Sequence, residues 1–321
     1  MFAVTAQSTD AESPLDGLAL GDVPEPEVPE GWVQVDVCAT ALNHHDLWSL
    51  RGVGLPADRL PMVLGCDAAG VTPDGREVIV HAVIASSEWR GDETLDPRRS
   101  LLSERYPGTF ADRVAVPARN VVPKPTELSF EEAACLPTAW LTAYRMLFVS
   151  SGARPGSTVL VQGAGGGVAS AAVALGAAAG YRMWVTSRDE AKRAWAMTLG
   201  ADAVFETGAR LPDRVDAVLE TVGAATWSHS LKSLRPGGTV VVSGATSGAD
   251  PSAELNRVFF LQLRVVGSTM GTRDELEALA RMLAQTGVRP TIDSVLPLRE
   301  ARTGFAKLDA GDVRGKIVFT L

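Results

Sequence analysis

The sequence predicts an α/β chain: a doubly wound parallel sheet with helical crossovers, joined to a β domain that the chain leaves and later re-enters. Three observations predict it. Before about residue 123, short β-rich runs are divided by Pro and Gly clusters. From Glu131 onward, helices alternate with short apolar strands of the kind buried on both faces. After a helix over about Arg273–Thr286 the tail turns β-like again and ends in Lys316-Ile-Val-Phe-Thr-Leu321. The expected domains are therefore 1–122 completed by 287–321, and 123–286 for the sheet. A length of 321 residues suits two domains of roughly 150 each.

The β-rich part holds the runs Trp32–Cys38, Val78–Ala85 and Ala111–Val116. The acidic stretch from Asp22 to Glu30 is read as an exposed loop, because its prolines deny it helix and ladder donors. Beyond Pro125 come a helix over Glu131–Phe148, the strand Thr158–Gln162 and an alanine-rich helix over Gly167–Ala179. The strand Met183–Ser187 and the helix Asp189–Leu199 follow. Strands near Ala203–Glu206, Ala217–Thr221, Thr239–Ser243 and Leu263–Gly267 complete six.

Composition narrows the function. With 46% hydrophobic residues and 21% charged, the chain can bury sizeable cores and is not disordered. The net charge of −8 gives no reason to expect nucleic acid or an anionic membrane. Its acidity is local: residues 1–50 carry nine Asp or Glu and no Lys or Arg. Three cysteines without a short pair suit a reducing cytoplasm. No segment reads as a signal peptide or a membrane span.

The strand Val159-Leu-Val-Gln162 runs into Gly163-Ala-Gly-Gly-Gly-Val-Ala169 and then a helix. This is the context a dinucleotide-binding fingerprint requires. Gly165, Gly166, Gly167 and Val168 are the candidates for the pyrophosphate, where missing side chains admit the backbone and the helix N-terminus offers N–H donors. The second strand ends at Ser187-Arg188, with Lys192 four residues on. A hydroxyl, a guanidinium and an ammonium suit a 2′-phosphate, so NADPH is expected over NADH. Two alternatives stay open. Ser187 fits a capping box with Glu190, and Asp189 or Glu190 suits a ribose hydroxyl.

Asn43-His44-His45-Asp46 and Cys66-Asp67 place histidines, a thiol and carboxylates close together, which invites a zinc hypothesis. Spacing alone does not decide it. The motifs Ala41-Leu-Asn-His-His-Asp46, Gly65-Cys-Asp-Ala-Ala-Gly70, Leu141-Thr-Ala-Tyr144, Leu199-Gly-Ala-Asp202, Gly237-Gly-Thr-Val-Val240 and Gly315-Lys-Ile-Val318 resemble, in this order, the medium-chain dehydrogenase/reductase superfamily. The resemblance covers nearly the whole chain and falls in the zinc-independent, quinone oxidoreductase-like branch. It implies a GroES-like β domain, a Rossmann domain, a cleft between them and a homodimer.

Zinc-dependent relatives place a Cys where this chain has Asn43, a His where it has Cys66, and a Cys or acid near Thr138. The resemblance therefore implies no metal. It implies hydride transfer from NADPH to a quinone or an α,β-unsaturated carbonyl, with Asn43 beside the nicotinamide; His44 and His45, as imidazoles that titrate near neutrality, are the candidates to return a proton. For the rest of the cofactor it points to Thr138, Thr142, Gly244, Thr246, Ser268 and Met270. Arg314 and Lys316 are read as phosphate contacts or tail charges, and Trp48, Leu55, Phe110 and Phe259 as candidate cleft residues. An alcohol dehydrogenase with an atypical metal site and a low-turnover NADPH-binding sensor or structural protein are the alternatives.

Overall fold

The computed structural model describes all 321 residues and falls into two compact units, 1–141 with 270–321, and 142–269. The boundaries expected at 122 and 286 shift for a packing reason. The helix Phe130–Ala134 lies on the strands Trp32–Ala41 and Asp67–Val71, and the helix Arg273–Thr286 lies on Val121–Pro123 and the turns Leu136–Trp140. Both apolar faces are thus spent on the β unit.

In the first unit, Trp32–Ala41 is the central strand. It pairs antiparallel with Asp67–Val71, Arg113–Pro117 and Lys316–Thr320, and Ile292–Pro297 joins the last of these in parallel. The tail therefore closes the sheet that the N-terminal third begins. Phe110 sits at the centre of the core, edge-on to Phe305 and Phe319. Leu55 and Phe110 are fully buried in that core and line no cleft.

Two helices here were not read from the sequence. His44–Leu50 follows the strand Trp32–Ala41, and Ala301–Asp309 lies in the tail expected to be β. The second buries Ala301, Phe305 and Leu308 on the core, and that burial makes the short helix stable. The expected helix 131–148 is helical throughout but widens into π-type turns at Leu136–Trp140 and Arg145–Ser150. Pro137, which has no N–H to donate, lies in the first of them.

The second unit is a six-stranded parallel sheet ordered Ala203–Phe205, Arg182–Thr186, Thr158–Gln162, Val215–Glu220, Leu234–Val242 and Arg264–Gly267. The chain starts on a central strand, winds outward to one edge and returns to build the other half, which is the doubly wound order expected. The alanine-rich helix Gly167–Ala178 packs closely because of Gly176, where a Cβ would come 2.3 Å from Met183 Sδ. No helix of either unit is long and apolar enough to cross a membrane.

Candidate active site

The first unit gathers its polar residues around one buried ammonium. Lys316 begins the strand Lys316–Thr320, Asp67 begins Asp67–Val71, and Leu42-Asn43 follows Trp32–Ala41, so three strand ends meet. Lys316 Nζ donates to Leu42 O at 2.8 Å, to Asn43 Oδ1 at 2.5 Å and to Asp67 Oδ2 at 3.1 Å. Its three protons are used. The side chains are 3% and 0% exposed for Lys316 and Asp67, a desolvated ion pair. Lys316 is therefore neither a phosphate contact nor a tail charge.

Asn43 is equally committed. Its Nδ2 donates to Ala41 O at 3.1 Å and Asp67 Oδ2 at 2.8 Å, while Oδ1 accepts from Lys316. With both amide protons taken, it has none left for a nicotinamide or an oxyanion, and that role does not fit this arrangement. Instead Asn43 starts the helix His44–Leu50, where Asp46 reaches back to accept from the Asn43 N–H at 2.9 Å. The Asn43-x-x-Asp46 spacing carried that signal in the sequence. The other Asp46 oxygen accepts from Gly65 N–H at 3.1 Å. Gly65 is required there, because at φ 99° a Cβ would lie 2.5 Å from the Phe110 ring.

Electrostatics follow from burial. Desolvation pushes the Asp46 carboxyl up to about 7, with Asp67 adding repulsion and the Asn43 and Gly65 N–H groups and Lys316 opposing. Desolvation lowers His45 to about 4 and lowers His81 and the exposed His44 as well, the charges of Lys316 and Arg51 adding to the effect at His44. A histidine lowered below its ordinary 6.5 stays neutral in the fold while the unfolded chain takes up the proton. Its stabilisation is complete above about 6.5 and is lost as pH falls towards the folded value. Asp46 has the opposite sign: its raised value favours the fold below about 4, and that advantage is lost as pH rises through 7. Between pH 4.5 and 6.5, Asp46 offsets one histidine. Asp46→Asn is expected to steepen the acid loss of stability by about 1.4 kcal/mol per pH unit. Urea unfolding across that window measures it, and an unchanged slope would mean that Asp46 is ionised throughout.

The three positions that the resemblance pairs with zinc ligands offer side chains that do not suit the metal. Asn43 faces an ammonium, the Cys66 thiol is raised well above its ordinary value by burial and donates to Leu102 O at 3.1 Å, and Thr138 offers only a hydroxyl. No three His, Cys, Asp or Glu side chains converge on a common point.

In the second unit, the predicted cofactor residues collect at the carboxyl ends of the parallel strands. Gly165 to Val168 follow Gln162, Ser187 and Arg188 follow Thr186, Gly244 and Thr246 follow Val242, and Ser268 follows Gly267. Glycine caps the helix Gly167–Ala178 at Gly166, so no side chain takes the first-turn N–H groups. At the second strand, Asp189 rather than Ser187 caps the helix Glu190–Thr198, accepting from Lys192 N–H at 3.0 Å. Arg193 is tied to the Ser187 and Arg188 carbonyls. Ser268 Oγ is buried with no protein partner, as is Thr138 Oγ1 in the first unit. Thr138, Met270, Asn43 and His44 belong to the first unit, and Thr142 to the second.

A network that the sequence did not reveal holds these strand ends. The Glu220 carboxylate accepts from Val222 N–H at 2.8 Å, Gly223 N–H at 3.1 Å, Thr226 Oγ1 at 2.9 Å and Ser230 Oγ at 2.5 Å. Gln162 donates to Ser230 Oγ and His229 Nδ1 and accepts from Thr186 Oγ1. His229 in turn donates from Nε2 to Ala209 O at 2.9 Å. Three adjacent strand ends are fixed by hydrogen bonds alone.

Comparison with known proteins agrees with this plan. The model of the alcohol dehydrogenase GroES-like domain matches residues 29–126, and that of the zinc-binding dehydrogenases matches 167–285. A crotonyl-CoA reductase of Streptomyces avermitilis is 29% identical, over 96% of this chain and 82% of its own length. A crystal structure of an NAD-dependent alcohol dehydrogenase is 34% identical with TM-score 0.91, covering 100% of both chains. A 2-octenoyl-CoA carboxylase reductase in complex with NADP and 2-octenoyl-CoA is 25% identical with TM-score 0.90, over 99% of this chain and 87% of its own.

Proposed function

The chain belongs to the medium-chain dehydrogenase/reductase superfamily, and from that premise we propose that it is an NADPH-dependent oxidoreductase that saturates a double bond conjugated to a carbonyl, without zinc. The observation that carries this reading is the Lys316 ammonium bound to Asn43 and Asp67, beside the positions where a catalytic metal's ligands would stand. Without a Lewis acid, a simple carbonyl or an alkoxide is poorly stabilised, whereas a conjugated acceptor spreads the incoming charge over an enolate. The enoyl-CoA relatives support the same acceptor class.

Gly165, Gly166, Gly167, Val168, Ser187, Arg188, Lys192, Gly244, Thr246 and Ser268, with Thr142, would hold NADPH on the sheet unit. The free hydroxyls of Thr138 and Ser268 favour a bound ligand. When bound, NADPH supplies the hydride. His44, exposed and neutral at pH 7, is suited to pass a solvent proton to the α-carbon rather than to store one. Leu255, Phe259, Phe260 and Val265 leave large apolar side chains exposed on the outermost strand and the helix before it, and we read this edge as a homodimer seam.

A panel of enoyl thioesters, enones and quinones, screened for NADPH oxidation with zinc and sedimentation measured on the same preparation, tests all of this. Turnover of conjugated acceptors by a zinc-free dimer is expected. Oxidation of simple alcohols by a protein holding one zinc per chain would instead establish the alcohol dehydrogenase suggested by the NAD-dependent relative. Tight NADPH binding without turnover would favour a sensor, and a monomer would reject the seam.

A further inference from the structure

Ser103 is fully buried yet holds φ at 67°, a left-handed backbone that side chains with a Cβ seldom adopt. Such strain persists where surrounding contacts over-determine it. Here backbone and side chain both do so: Ser103 N–H donates to Tyr106 O at 2.9 Å, and Oγ lies 3.2 Å from His45 Nε2 and 3.6 Å from Cys66 Sγ. The Cys66 proton is already given to Leu102 O. Ser103 can send its own proton to an imidazole nitrogen or to a sulfur, and the nitrogen is the nearer and stronger acceptor. Nε2 therefore accepts, which puts the ring's proton on Nδ1. No protein atom hydrogen-bonds Nδ1, and His45 is partly exposed. Burial keeps the ring neutral at pH 7.

We propose that His45, as the Nδ1–H tautomer, is the hydrogen-bond donor to the carbonyl of the conjugated acceptor, and that Ser103 is the positioning residue that fixes this tautomer. The proposal rests on the reductase reading above. As hydride adds at the β-carbon, the double-bond pair moves toward the carbonyl carbon and the carbonyl pair onto oxygen. The Nδ1–H group stabilises that enolate oxygen and keeps its proton. A solvent proton passed on by His44 then reaches the α-carbon, and the carbonyl re-forms. A neutral imidazole does this without competing as an acid.

Ser103→Gly separates geometry from chemistry, because glycine accepts the left-handed backbone at no cost while the hydroxyl is lost. The variant is expected to keep or raise its melting temperature, to lower kcat about tenfold and to leave KM within about twofold. His45→Phe is expected to lower kcat about 100-fold, the scale of one oxyanion donor removed. Imidazole 15N shifts of the full-length protein report the tautomer independently of turnover: Nδ1–H in the wild type, a mixture in Ser103→Gly. A wild-type Nε2–H tautomer overturns the proposal, as does an unchanged kcat in Ser103→Gly of an active enzyme. A wild type inactive on every conjugated acceptor overturns the reductase reading and this role together.

Discussion

Replacing Lys316 with methionine is expected to lower the unfolding free energy of the first unit by about 3–5 kcal/mol, the cost of stranding one partner of a buried ion pair. Methionine retains most of the apolar stem, so the loss isolates the charge. Asp67 is completely buried, its Oδ1 has no partner in the protein, and Lys316 supplies its positive charge. Without the ammonium, Asn43 also loses the donor to its Oδ1, and Leu42 O loses its contact. The double variant Lys316→Met with Asp67→Asn is expected to recover much of the loss, because the unpaired charge is gone and the two effects are coupled. Urea unfolding followed by a probe in the first unit measures both, which keeps the readout valid if the two units unfold separately. A loss below about 1 kcal/mol would mean that water reaches the pair.

The second large effect is on cofactor choice. Arg188→Ala with Lys192→Ala is expected to raise the Kd of NADPH by at least about 100-fold, since the two charge-assisted hydrogen bonds contribute about 1.5–3 kcal/mol each. NADH binding should change little. Arg188 is exposed at the end of the strand Arg182–Thr186, beside the nearly buried Ser187. The structure also weakens the NADH alternative, because the Asp189 carboxylate is occupied in capping its helix. Ser187 is relieved of that duty, and its Oγ takes only the Asp189 N–H at 3.2 Å. Equal weakening of both cofactors would show that these residues support the loop and read no phosphate.

The shared position of Gly165 to Val168, Ser187, Arg188, Gly244, Thr246 and Ser268 was legible because each follows a strand whose apolar run announces itself, and strand ends in a parallel sheet share one edge. The residues of the β unit were less so. Asn43 was singled out by resemblance and His44 by the titration range of imidazole, but the Asn43 amide proved to be consumed by its neighbours. Ser103 and Glu220 carried no motif at all. Ser103 gains meaning only from its positive φ and its reach to His45, and Glu220 from the backbone N–H groups that turn toward it.

By itself the sequence determined the six-stranded order, the glycine turn and the return of the tail to the first unit. These rest on periodicities and turn residues within stretches of a dozen residues, where local geometry dictates which face is apolar. Only the tertiary structure decided where the units divide and what Lys316 does. Lys316 and Asp67 are 249 positions apart, and nothing local to either marks a partner. A lysine is read as a surface charge until the fold removes water from around it. At that point, pairing with a carboxylate is what keeps the charge from being prohibitively costly.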